Sequence, residues 1–140
     1  MFYKCSSLTE LNVSNLCTSN CTSLGYTFEG CYNLQDLSTV ENWDTSNVTN
    51  LAYTFAACNA LTSLDLSKWN TSNVTNMCKL FSYESSVKDN YMGLKEIKGL
   101  ENWDTSKVKD MSLMFNGCQC STYNIANWDT SKVTSMRAMF

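Results

Sequence analysis

Eight cysteines, a recurring aspartate and a complete lack of histidine set the chemistry open to this chain. Without imidazole, neither a Ser-His-Asp nor a Cys-His arrangement can activate a nucleophile, and no zinc site can draw on a histidine ligand. Cys5, Cys31, Cys58 and Cys118 each stand three residues after a phenylalanine, so they share one column and are expected to form an internal ladder. Adjacent members about 4.8 Å apart would permit disulfide distances, yet a row of small buried thiols is the plainer reading. Cys17, Cys21, Cys78 and Cys120 fall outside that column. Cys17 and Cys21 are the candidates for a disulfide-stapled cap, whereas a single Cys-x3-Cys pair is a poor zinc site. Paired carboxylates remain, but Asp44, Asp104 and Asp129 recur at one motif position that Asn70 also fills, which suits backbone capping better than acid-base work. Only five glycines are present and none forms a phosphate-binding loop. The chain is expected to be non-catalytic, with no cofactor and no metal.

These residues are positioned by a repeat. Trp43, Trp69, Trp103 and Trp128 each open a motif of the type WDTSNVTN, and Phe55, Phe81, Phe115 and Phe140 follow twelve residues later. Leu16 and Phe28 bracket a degraded first copy with the same offset. The column Phe2, Phe28, Phe55, Phe81, Phe115 and Phe140 has spacings of 26, 27, 26, 34 and 25 residues. A unit of about 26 residues lies within the range of leucine-rich repeats. Leu61, Leu64 and Leu66 have the L-x-x-L-x-L spacing whose last part is a short strand, and Leu8, Leu11 and Val13 repeat it. After Asp44, which reads as an N-cap, Val48, Leu51, Phe55 and Cys58 fall on one helical face. Thr, Val and Asn are poor helix formers, so this return segment is expected to be a short helix, a 3-10 turn or partly extended.

The expected fold is therefore an α/β solenoid: a leucine-rich-repeat-like right-handed coil of about five 26-residue repeats, with a parallel sheet and short helical or 3-10 return segments. The units run over about 1–27, 28–54, 55–80, 81–114 and an incomplete 115–140, as a single array. Phe28, Phe55, Phe81 and Phe115, with Trp43, Trp69, Trp103 and Trp128, are expected to form the core. Burying such an aromatic ring contributes about 4–6 kcal/mol gross. About seven residues near 82–88 are inserted in the fourth unit, and in repeat proteins insertions map to loops on one face. Cys120 or Ser121 stands where the last unit should carry leucine, so that unit is expected to pack least well. Met1 and Phe2 fall in the columns of Met114 and Phe115, which makes the chain look like an excerpt of a longer array with an uncapped end at Met139 and Phe140.

Composition narrows the function classes. The 140 residues are 44% hydrophobic and 16% charged, compatible with one folded domain. A net charge of −3 with Arg137 the only arginine argues against nucleic acid, because phosphate binding needs clustered basic residues. No apolar run approaches the roughly 20 residues of a membrane span, and no signal peptide is evident in this stretch. The sequons at Asn12, Asn20, Asn47, Asn70 and Asn73 read as by-products of the repeat's Asn, Thr and Ser content.

The segment FAACNALTSLDLSKWNTSNVTNM, beginning at Phe55, and WDTSKVKDMSLMFNGC, beginning at Trp103, resemble the bacterial surface-protein 26-residue repeat, related to BspA-type leucine-rich repeats. The resemblance covers nearly the whole chain and departs at Leu16, Cys17, Cys21 and the insertion after Phe81. It implies an extracellular or cell-surface protein engaged in adhesion or protein contacts, without catalysis, meeting a protein partner or a host surface component. The residues placed to do so are the outward strand positions Asn12, Ser38, Asp65, Lys98 and Asn124, and the inserted stretch with Tyr83, Glu84, Lys88 and Tyr91. The alternative is a structural scaffold subunit that stacks end to end through its uncapped repeats. Ice binding through Thr45, Thr71, Thr105 and Thr130 ranks last, because those threonines stand at the expected cap rather than on a flat exposed sheet.

Overall fold

A computed structural model describes residues 1–83 and 91–140. The expected α/β solenoid is not what forms. Among the described residues there is no α-helix, and the sheet is a single open parallel pair of three-residue strands, β1 (Ser63–Asp65) and β2 (Glu96–Lys98). Two 3-10 segments, Ser38–Asn42 and Leu100–Asn102, complete the regular structure, and the rest is turns and irregular chain. The continuous parallel sheet is replaced by isolated parallel bridges, such as Ser23 to Asn50, Asn50 to Asn76 and Asn76 to Asp110.

The missing helix has a backbone cause. Tyr26, Tyr53, Lys79 and Leu113, each two residues before a phenylalanine, have φ between 54° and 61°, and a left-handed residue interrupts any right-handed helix. The chain turns every three residues instead, as where Thr54 N donates to Leu51 O at 3.2 Å. Alternate N–H groups then leave the segment altogether. Leu51 N donates to Asn76 O, Tyr53 N to Cys78 O, Phe55 N to Leu80 O and Ala57 N to Ser82 O, all at 2.8–3.0 Å. The segment thus satisfies its backbone partly on its own turns and partly on the chain about 25 residues on, as buried amides require.

Asp44 does not cap a helix. Its Oδ1 accepts the N–H of Ser46 at 3.0 Å, two residues on, and Asn70, Asp104 and Asp129 do the same for Ser72, Ser106 and Ser131. This local Asx turn competes with helix initiation, and Asp and Asn perform it equally well. The threonine that follows points inward. Thr45, Thr71 and Thr105 are buried, and their hydroxyls donate to the backbone oxygens of Asn70, Asp104 and Asp129 at 3.0 Å.

The core is a row of rings. Phe2, Phe28, Phe55, Phe81, Phe115 and Phe140 stack in succession with centroids 5.6–5.7 Å apart and planes within 14°. Trp43 and Trp69 pack beside Phe28 and Phe55 at 5.6 and 5.8 Å. Trp43, Trp69 and Trp128 donate their indole N–H to the carbonyls of Val13, Val40 and Leu100. Trp103, in the unit that carries the insertion, sits 6.5 Å from Phe81, and its buried Nε1 has no hydrogen-bond partner among the described residues. Beyond Phe115 the only buried residue is Met139, so this unit contributes least to the core.

Candidate functional site

Three of the positions expected to face outward meet, two of them in strands. Asp65 ends β1 and pairs in register with Lys98 at the end of β2, and with Asn124 they line one surface cavity of about 440 Å³. The register follows from Leu64 and Ile97, whose side chains face the core side and so turn the residues after them outward. Gly99 brings the two backbones together: its φ is +92°, and a Cβ there would lie 2.3 Å from Ser67 Cα. Lys95, Glu96, Glu101 and Thr122 complete the rim. The sequence reading missed these four, although each lies within three residues of an outward position.

The cavity is polar and mixed in charge. Lys98 Nζ lies 3.9 Å from a Glu96 carboxylate oxygen, and both side chains are more than half exposed, so the pair is screened and weak. Asp65 is held differently. The hydroxyl of Ser67 donates to its Oδ1 at 2.6 Å and the Ser67 N–H at 3.0 Å, and these two bonds keep the carboxyl below its ordinary range, with Lys98 and Lys68 adding to the effect. Asp65 is therefore a fixed negative charge beside an exposed positive one. Such a surface can exchange hydrogen bonds and ion pairs with a partner.

The other predicted positions lie apart. Asn12 lines a second, separate cavity of about 370 Å³ with Glu10, Asp36 and Thr39, and its Oδ1 accepts the N–H and hydroxyl of Ser14. Ser38 stands outside both cavities, because its N–H donates to Asp36 and opens a 3-10 segment. Tyr83 is half-buried and lines a third cavity, and Tyr91 is exposed. Glu84 and Lys88 lie outside the described residues.

All eight cysteines are free thiols. Cys31, Cys58 and Cys118 donate to the carbonyls of Phe2, Phe28 and Phe81 at 3.0–3.2 Å. Burial pushes the Cys58 and Cys31 thiols up, whereas a hydrogen bond with Cys120 is the chief cause of a raised Cys118. Cys17 is exposed, 3.3 Å from Ser19 Oγ, and that hydroxyl draws its pKa down; Cys21 is half-buried against the core. Among the described residues no three Asp, Glu, Cys or His side chains come together as a metal site, and no helix is long and apolar enough to cross a membrane.

No curated protein and no solved structure matches this chain. The pattern of one protein family matches residues 1–96 and again residues 85–140, which together span all 140 positions, and the chain therefore belongs to the family described as "Mycoplasma protein of unknown function, DUF285".

Proposed function

We propose that this chain is a non-catalytic binding module, secreted or displayed at a cell surface, that meets a protein partner or a host surface component through the cavity at the ends of β1 and β2. The observation that carries the reading is the convergence of Asp65, Lys98 and Asn124 on one polar, mixed-charge cavity. The resemblance of the repeats to bacterial surface-protein repeats supports the location and the adhesive role. A surface of this kind forms contacts dominated by screened charges, so binding is expected to be weak per module and to fall as salt rises.

The test is adherence. Beads coated with the chain, applied to cultured epithelial cells, should be retained above uncoated beads, and retention should fall several-fold between low and high salt. Retention no greater than that of uncoated beads would remove the adhesive reading.

A further inference from the structure

The third cavity, the one Tyr83 lines, is a groove that shares none of the residues of the cavity at β1 and β2. We propose that this groove, of about 360 Å³ and floored by Ala56 and Ala57 between Tyr53 and Tyr83, binds one or two rings of a neutral saccharide.

The groove lies over a pair of small residues. After Phe28, Phe81 and Phe115 the chain carries Glu29, Ser82 and Asn116, but after Phe55 it carries two alanines. Ala56 and Ala57 are buried beneath the groove, and Glu29, Ser82 and Asn116 stand around it as acceptors and donors.

Its aromatic walls are held in place. Tyr53 stacks on Tyr26 with centroids 4.6 Å apart, and Lys79 Nζ lies 5.2 Å from the Tyr53 centroid, which fixes the ring between two neighbours. Opposite, Tyr83 N donates to Asn116 O at 3.0 Å. The Tyr83 ring fills the space a side chain at position 117 would need: a Cβ on Gly117 would come within 2.3 Å of Tyr83 Cδ1. The matching columns of other units hold Lys4 and Ala57 at similar positive φ, so the backbone does not demand glycine here. The ring does.

The chemistry of the lining selects the ligand class. Lys79 and Glu29 supply one charge of each sign, so a charged ligand gains an attraction only beside a repulsion. A purely apolar ligand would desolvate the carboxylate, the amide and the ammonium without replacing their hydrogen bonds. A neutral sugar meets both conditions, since its C–H face packs on Tyr83 and the alanines while its hydroxyls donate and accept at the polar groups around them. Rigid aromatic walls lower the ordering cost of such an encounter.

Saturation-transfer NMR of the whole chain with lactose, maltose and chitobiose, each at millimolar concentration, tests this. Transfer to at least one sugar is expected, with affinity reduced about tenfold in Tyr83→Ala. Gly117→Ala keeps the phenol but displaces it, so it should weaken transfer in a protein whose aromatic content is unchanged; it stands in should Tyr83→Ala fail to fold. Lys98→Glu should leave transfer intact, which separates this groove from the adhesive surface. No transfer from any of the three sugars, or transfer undiminished in the folded variants, would overturn the proposal.

Discussion

Asp44, Asp104 and Asp129 are each held in the ionised form first by the hydroxyl and then by the N–H of the serine two residues on, and their pKa values lie below the ordinary 3.8. The folded carboxyl therefore gives up its proton at lower pH than the unfolded one. The stabilisation is complete above about pH 4 and is lost as the pH falls through the lower folded values. Asn70 makes the same turn without a charge, so Asp104→Asn is expected to keep the neutral-pH melting temperature and flatten the acid limb of a pH–stability curve. A variant whose acid limb is as steep as the parent's would show that Asp104 does not contribute to it. At the thiols, a disulfide-exchange reagent should consume Cys17 first, since it is exposed and its pKa is lowered, and Cys58 only on unfolding, since burial raises it. Mass mapping of the modified cysteines over time checks the order; fewer than eight reactive thiols in the unreduced, unfolded chain would contradict the free state of all eight. The local role of these aspartates was legible in the sequence, because a position shared by Asp and Asn points to a backbone bond. What they bond was not, because an N-cap and an Asx turn use the same residue types.

The elements are short because their stabilising bonds are distributed. β1 and β2 are three residues each, and their approach rests on Gly99, whose missing Cβ leaves room for Ser67. Gly99→Ala is expected to destabilise by roughly 1–3 kcal/mol, through strain at positive φ and the clash together. Urea denaturation measures it, and a change under about 0.5 kcal/mol, the size of an ordinary surface substitution, would contradict the close approach. The strand at Leu64 was readable from the leucine spacing. The return segment was misread for a definite reason. Val48, Leu51, Phe55 and Cys58 are all buried, as helical spacing requires, but repeated three-residue turns also bring such positions to one side. A tyrosine at 53 and a lysine at 79 carry no sign of the left-handed backbone they adopt.

At the scale of the molecule, the ring row and the outward cavity are separate parts of one arrangement, the first holding the units in register and the second facing solvent. Phe55 is fully buried between Phe28 and Phe81, so Phe55→Ala is expected to cost about 3–5 kcal/mol. Stability within about 0.5 kcal/mol of the parent would remove Phe55 from the core. The phenylalanine column announces itself in sequence through its period; the architecture around it does not, since periodicity fixes which residues align and leaves open what backbone joins them. The candidate site was half legible: alternation placed Asp65, Lys98 and Asn124 outward, but only the register of β1 on β2 gathers them and separates Asn12. The most direct measurement of the account is bead adherence with the charges of the Glu96–Lys98 pair exchanged, Glu96→Lys with Lys98→Glu. The exchange keeps opposite charges on an exposed, weak pair and leaves the Ser67 bonds to Asp65 in place, while it changes the charge pattern a partner meets. Loss of adherence at unchanged melting temperature is the expected result, and full adherence by the exchanged chain would contradict the assignment of binding to this surface.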